Sequence, residues 1–348
     1  MMKNYFFQIR KTKNLAQIIV RLIKENFEQN TNITSPKKIN LDKIFSKFLE
    51  NLIRNENSVQ EERLMFEFSS RIKSNTCIQK KNINYFKEIF FSEKMNKIFL
   101  LNDLGILQKI IPEFSKILDL PQFDRYHSLT VGQHTLRALN ILKDLKNKKL
   151  RSNTYKFVYK ILKKNEDLKP LYYSTLLHDI GKGSGDDHSK VGSRISSKVL
   201  KRLNEDNSTI SETRWLIENH LLMSELAFKR DLGDFSIIKK AAKKIKSMER
   251  LTNLFLLTAL DISAVDQGLW NDWKARLLKT LYEKLEKEIN RPSDLVSLNE
   301  KISLIKKDII QNSKIISSSL VENVSKVTYP NYWLLQSKEM IAFQIEKF

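Results

Sequence analysis

The sequence predicts an all-helical protein, on three observations. Glycine and proline are sparse, with eight and six in 348 residues, so few positions are punctuated as turns. Apolar residues recur at three-four spacing, the period of a helix face. No alternating apolar-polar run, of the kind a half-buried strand needs, competes with that pattern. The expected architecture is a helical bundle with an N-terminal helical domain.

Each stretch has its own reason to be helical. Leu15, Ile18, Ile19, Leu22 and Ile23 form the first stripe. Ser35 followed by Pro36 reads as a cap with proline in the first turn, and the stripe it opens is Leu41, Ile44, Phe45, Phe48, Leu49, Leu52 and Ile53. Leu136, Leu139, Leu142 and Leu145 make the next. The stretch from Leu171 to Leu177 is apolar, and Leu254 to Leu260 is the most apolar run in the chain. Leu277, Leu278, Leu281 and Leu285 form a later stripe. Stripes of this kind are core-forming, not cofactor-binding.

Punctuation divides the chain into three. Residues 1–112 carry no histidine, end near Gly105 and Pro112, and read as a structural or docking region. Residues 113–290 hold all five histidines, three of the four tryptophans and seven of the eight glycines. Arg291-Pro292-Ser293-Asp294 then breaks the chain before a helical extension over 291–348, where Ser317-Ser318-Ser319 leads to Tyr329, Tyr332 and Trp333. No internal repeat is visible.

Composition excludes several classes. At 41% hydrophobic and 29% charged residues the chain is ordinary for a folded protein. The lone cysteine, Cys77, excludes a disulfide framework and a multi-thiolate metal site and makes the cytoplasm the expected compartment. The run from Met1 to Phe7 meets Arg10, Lys11 and Lys13 before a signal-peptide core can form. No stretch reaches the roughly 18 apolar residues of a membrane span, so no membrane partner is expected. The formal net charge of +21 and the lysines of 143–164 and 239–246 suit an anionic partner. Lysine, however, comes with abundant asparagine and isoleucine throughout, as an AT-rich coding bias produces. No nucleic-acid module signature accompanies it, so nucleic acid is not the expected ligand.

The chemistry is concentrated. Every histidine falls between His127 and His220, and histidine is both the commonest metal ligand and the usual acid-base residue near neutral pH. An apolar helix delivers His178 and Asp179 near its C-terminal end, where Gly181, Gly183 and Gly185 release the chain into a loop. Adjacent helical residues project about 100° apart, so a shared cation needs ligands from other helices. His134 and Asp261 are available for that. A carboxylate such as Asp261, at the end of a buried helix, is costly unless paired or metal-bound. The plain alternative for this set is a hydrogen-bonded polar cluster. His127 reads equally as a structural or a substrate-contacting residue, and Trp270 and Trp273 as packing. The glycine run follows a helix, not a strand, and is therefore no dinucleotide loop.

Histidine, then His-Asp, then a distant aspartate, all on helices, resembles the HD-domain metal-dependent phosphohydrolases. The surrounding text narrows this. Phe123-Asp124, Tyr126-His127, His134-Thr135-Leu136-Arg137-Ala138, Leu177-His178-Asp179-Ile180-Gly181-Lys182-Gly183, Asp187-His188-Ser189 and His220-Leu221-Leu222-Met223-Ser224 are similar to the HD domain of the bifunctional uridylyltransferase/uridylyl-removing enzymes acting on nitrogen-regulatory PII protein. Arg230-Asp231, Leu257-Thr258, Asp261-Ile262, Ala264-Val265, Trp270-Asn271 and Trp273-Lys274 continue it. Tyr5 to Asn26 resembles the helix leading into the region after that family's transferase domain, and Tyr332-Trp333 the approach to its ACT domains. The transferase motif and the ACT domains have no counterpart here, as expected of a fragment, a split gene or a truncation.

The resemblance implies a hydrolase that removes UMP from uridylylated PII. It implies a first metal on His134, His178, Asp179 and Asp261, with His188 and His220 reaching a second metal or the phosphate. Asp179, Lys182, His188 and His220 would be catalytic, Lys182 neutralising a phosphate oxygen and Asp179 bridging metals or orienting water. An open nitrogen-oxygen site suits Mn²⁺ or Mg²⁺. PII is the implied partner, with a separate transferase or ACT-domain chain as a further one, and no transferase activity is expected of this chain alone. The family usually has paired histidines before Leu-Leu-Met-Ser, where this chain has Asn219. Two other readings stay open: an HD hydrolase acting on nucleotides or cyclic nucleotides, and a noncatalytic metal-binding scaffold.

Overall fold

Alpha helices follow one another with no strand among the residues that the computed structural model describes, which are 80–92, 95–103, 105–121, 129–266, 268–290, 298–313 and 315–347. The stripes at Leu15 and Leu41, the cap at Ser35, the Phe123–His127 segment and the break at Arg291–Asp294 lie outside them. The helices are α1 (Lys80–Phe91), α2 (Met95–Asp103), α3 (Ile106–Ile110), α4 (Ser115–Leu118), α5 (Val131–Lys146), α6 (Lys156–Leu162), α7 (Lys169–Leu177), α8 (His188–Arg202), α9 (Asn207–Glu218), α10 (Leu222–Lys229), α11 (Phe235–Ile245), α12 (Met248–Val265), α13 (Asp272–Asn290), α14 (Leu298–Asn312), α15 (Ser318–Val327), α16 (Pro330–Leu335) and α17 (Lys338–Glu346). Short 3-10 turns cover Pro112–Phe114 and Asn153–Tyr155. None of these helices is long and apolar enough to cross a membrane.

Of the described residues, 80–225 and 252–279 form one compact unit, and 226–251 with 280–347 a second. In the first, α7 is the central element. Pro170 through Leu177 are all buried, the signature of a helix enclosed by neighbours on every side. It packs on α5 and α9, and α8 packs on α9. Phe90 and Phe91 of α1 lie against Tyr172 and Tyr173 of α7, with ring centroids 5.3–5.8 Å apart. The Tyr173 hydroxyl donates to Glu205 at 2.6 Å, and Lys87 pairs with the same carboxylate at 2.6 Å. Burial and the Glu205 carboxylate push the Tyr173 pKa well up, so it remains a donor.

Both flanking helices start at defined points. Thr130 caps α5 in a capping box, its hydroxyl accepting from the Gln133 N–H at 3.3 Å while the Gln133 side chain accepts from the Thr130 N–H. The same hydroxyl donates to the Leu118 carbonyl at 2.7 Å. Asp187 caps α8, accepting from the Ser189 N–H at 3.0 Å. The second unit has its own core of Ile302, Ile309, Ile316, Val321, Val324, Trp333, Ile341 and Ile345. Trp333 is its anchor, donating its indole N–H to Thr328 at 3.1 Å. The aromatic tail is thus divided, Trp333 buried and Tyr329 84% exposed.

Candidate metal centre

His134, His178, Asp179, His188, His220 and Asp261 converge in the first unit. His134 comes from the first turn of α5, and His178 with Asp179 from the end of α7. His188 opens α8, His220 follows the end of α9, and Asp261 lies on α12. Their ligand atoms fall into two groups, His134 with His178 and Asp261, and Asp179 with His188 and His220, each set within 4.8 Å of one another. The imidazoles form a row, with centroids 5.4 Å apart for His134–His178, 5.5 Å for His178–His220 and 5.3 Å for His188–His220.

Asp179 stands between the groups. Its Oδ2 is 3.4 Å from His178 Nε2 and 2.7 Å from Lys182 Nζ. Its Oδ1 is 3.8 Å from His188 Nε2 and 3.9 Å from His220 Nε2. Asp261 Oδ1 is 2.9 Å from His134 Nε2 and 3.6 Å from His178 Nε2. Asp261 does not sit sealed inside α12, as the apolar run before it suggested. Its side chain is 25% exposed, because the helix turns this position toward the cluster and not toward the core.

Backbone carbonyls aim two of the rings. His178 Nδ1 donates to Thr175 O at 3.0 Å and His220 Nδ1 to Ile217 O at 2.7 Å. A carbonyl can only accept, so each neutral ring presents its Nε2 lone pair to the cluster, an orientation typical of metal-binding histidines. These i−3 contacts carry no side-chain signature, which is why the sequence did not reveal them.

Two carboxylates dominate the electrostatics. Burial resists a charged His178, but the carboxylates of Asp179 and Asp261 outweigh it and push its pKa up to about 10. Burial also opposes ionisation of Asp179, yet His178 and Lys182 hold it well below the usual carboxylate range. The neighbouring imidazoles of His134 and His178 do the same for Asp261. Burial pushes His220 down to about 4, aided by His178, and lowers His188 too. Both are therefore neutral near pH 7, as ligands must be.

These residues fit a divalent cation. His178 Nε2 and His188 Nε2 are buried with no hydrogen-bond partner, and such orphaned groups are expensive unless something else satisfies them. Imidazoles and ionised carboxylates on facing helices are donors for that cation, His178 giving up its proton on binding it. Asn219 stands apart. Its side-chain amide donates to the Trp215 carbonyl one turn back at 2.8 Å, so the departure from paired histidines falls on a residue that caps its own helix.

Gly181 holds the two halves together. A Cβ there would lie 2.3 Å from the His188 carbonyl oxygen and 2.6 Å from the Gly192 nitrogen, so only glycine lets the turn after Asp179 touch α8. The chain then leaves through Gly183 at φ 79°. Trp270 is buried, as a packing residue should be, whereas Trp273 is 55% exposed and is not a core residue. It occupies the solvent side of the first turn of α13.

Residues 127–264 match the HD domain family. The chain carries an HD domain. Over this domain and its flanks the chain is similar to proteins named bifunctional uridylyltransferase/uridylyl-removing enzyme. It is 42% identical to the one from Zymomonas mobilis over 184 residues, 53% of this chain and 20% of that protein. It is 32% identical to the one from Novosphingobium aromaticivorans over 254 residues, 71% and 27% of the two chains. The Azospirillum brasilense protein is 34% identical over 261 residues, 74% and 28%. The chain thus spans between a fifth and three-tenths of the length of these relatives. HD domains bind divalent metals, and this one has the side chains for it, which supports a metal-dependent HD hydrolase.

Proposed function

We propose that this chain is a phosphodiester hydrolase that removes UMP from uridylylated PII protein. The observation that carries the reading is the double cluster joined through Asp179, in an HD domain whose relatives are named for uridylyl removal. His134, His178 and Asp261 would hold one cation, and His188 with His220 a second, Asp179 lying between them. A bound divalent ion supplies an electrophile for the phosphoryl oxygen and lowers the pKa of water.

The chain's own groups do the rest. The carbonyls of Thr175 and Ile217 fix the ring planes, so little reorganisation is needed on binding. Asp179 orients both sets of rings at once. Lys182, tied to Asp179 at 2.7 Å and partly exposed, can move its ammonium onto a phosphate oxygen once a cation takes over the carboxylate. Where no second cation engages it, His188, neutral and on the exposed edge of the cluster, can take a proton from water and pass it to the leaving oxygen.

Purified chain with Mn²⁺ and uridylylated PII should release UMP, and His178→Ala should lower the rate at least a hundredfold while leaving the protein folded. Release undiminished in that variant would place the chemistry elsewhere.

A further inference from the structure

Three further residues of the first unit take no part in the ligand cluster: Arg137, Tyr155 and Trp270. Arg137 lies one turn beyond His134 on α5, so the two share a helix face. Its side chain is only partly buried, and among the described residues it makes no ion pair or hydrogen bond. Tyr155 lies beside Ser263 on α12, the helix carrying Asp261, and within electrostatic reach of the Arg137 guanidinium. Trp270 backs Tyr155, with ring centroids 6.1 Å apart and planes 32° from parallel. The indole is 7% exposed, and its Nε1–H is buried without a hydrogen-bond partner.

We propose that Arg137 and Tyr155, backed by Trp270, form the nucleotide subsite of the metal centre. Arg137 takes a phosphate oxygen, and the face of Tyr155 receives the pyrimidine. This rests on the reading of the centre as one that removes a uridylyl group. A partly buried guanidinium without a carboxylate wants an anion, and its planar fork matches a phosphate better than an ammonium does. The other cation close to the ligands, Lys182, is already paired with Asp179. An aromatic ring backed on one side by Trp270 is a platform, the element that bases stack on without needing a specific edge contact.

The test uses the full chain with Mn²⁺ and two probes, UMP and inorganic phosphate, followed by calorimetric titration. Arg137→Ala should weaken both probes at least tenfold. Tyr155→Leu should weaken UMP by a similar factor and leave phosphate unchanged, while Tyr155→Phe, which keeps the ring face, should bind UMP like the wild type. Mn²⁺ affinity should be unaltered in all three. UMP affinity within twofold of wild type in Arg137→Ala and Tyr155→Leu would overturn the proposal, as would a wild type that does not bind UMP. Loss of Mn²⁺ affinity in Arg137→Ala that Arg137→Lys fails to restore would assign the residue to folding and overturn it too. A chain that binds UMP through Arg137 but leaves uridylylated PII intact would uphold the subsite and reject the PII reading instead.

Discussion

Asp179 shows how one residue can organise a centre: Oδ2 faces His178 and Lys182 while Oδ1 faces His188 and His220. Lys143, on the same helix as His134, is a contrasting case. It is 1% exposed, and its ammonium nitrogen has no hydrogen-bond partner. Burial, with Lys146 and Lys97 nearby, pushes its pKa down to about 8. The folded chain thus prefers the neutral amine, while the unfolded chain keeps the ordinary value near 10.5 and binds more protons between the two. Stability should therefore rise with pH from about 8 to about 10.5 and be flat below that window, so far as this residue governs it. Lys143→Met should remove that slope and stabilise the chain at pH 7 by up to about 3 kcal/mol, measured by urea unfolding. An unchanged slope in Lys143→Met, or a loss of stability, would show that the amine is satisfied. Asn219 supplies a second residue-level test. Asn219→Ala should cost about 1 kcal/mol for the lost bond to Trp215 and leave Mn²⁺ affinity unchanged; a tenfold drop in that affinity would make Asn219 a ligand.

Among the elements, α7 was the most legible in the sequence and its exit the least. The largely apolar stretch from Leu171 to Leu177 announced a buried helix, and its end placed His178 and Asp179 together. The glycines that follow read as loop formers, which holds for Gly183 and Gly185 with their positive φ. Gly181 works differently, through contact with the His188 carbonyl and Gly192 of α8, and close approach between distant elements leaves no local pattern to read. The same limit hid the aiming of His178 and His220 by carbonyls, and the exposure of Asp261 and Trp273, each decided by which helix packs alongside. Gly181→Ala should therefore do more than its small size suggests. Because the contact atoms are backbone, α8 must shift, at a cost of several times the ~1 kcal/mol of an ordinary substitution, and Mn²⁺ affinity should fall with it. A melting temperature and affinity equal to wild type would mean that the turn has room.

For the molecule as a whole, the composition argument and the helical period foretold the fold class, and the HD domain accounts for the histidine-rich middle of the chain. The centre links chemistry to stability, because Asp179 and Asp261 face each other's histidines across α7 and α12 and attract positive charge. A cation bound only by the native state adds about 2.7 kcal/mol at a hundredfold excess over Kd. Chelation should lower the melting temperature accordingly, and Asp261→Asn should shrink that response; identical melting curves with and without chelator would indicate a self-sufficient polar cluster. The most direct measurement is UMP release from uridylylated PII by the purified chain, wild type against Asp179→Asn, with Mn²⁺ supplied and then chelated. The wild type should release UMP, release should stop on chelation, and Asp179→Asn should be at least a hundredfold slower. Equal release by both proteins, or no release from a wild type shown to bind Mn²⁺, would contradict it.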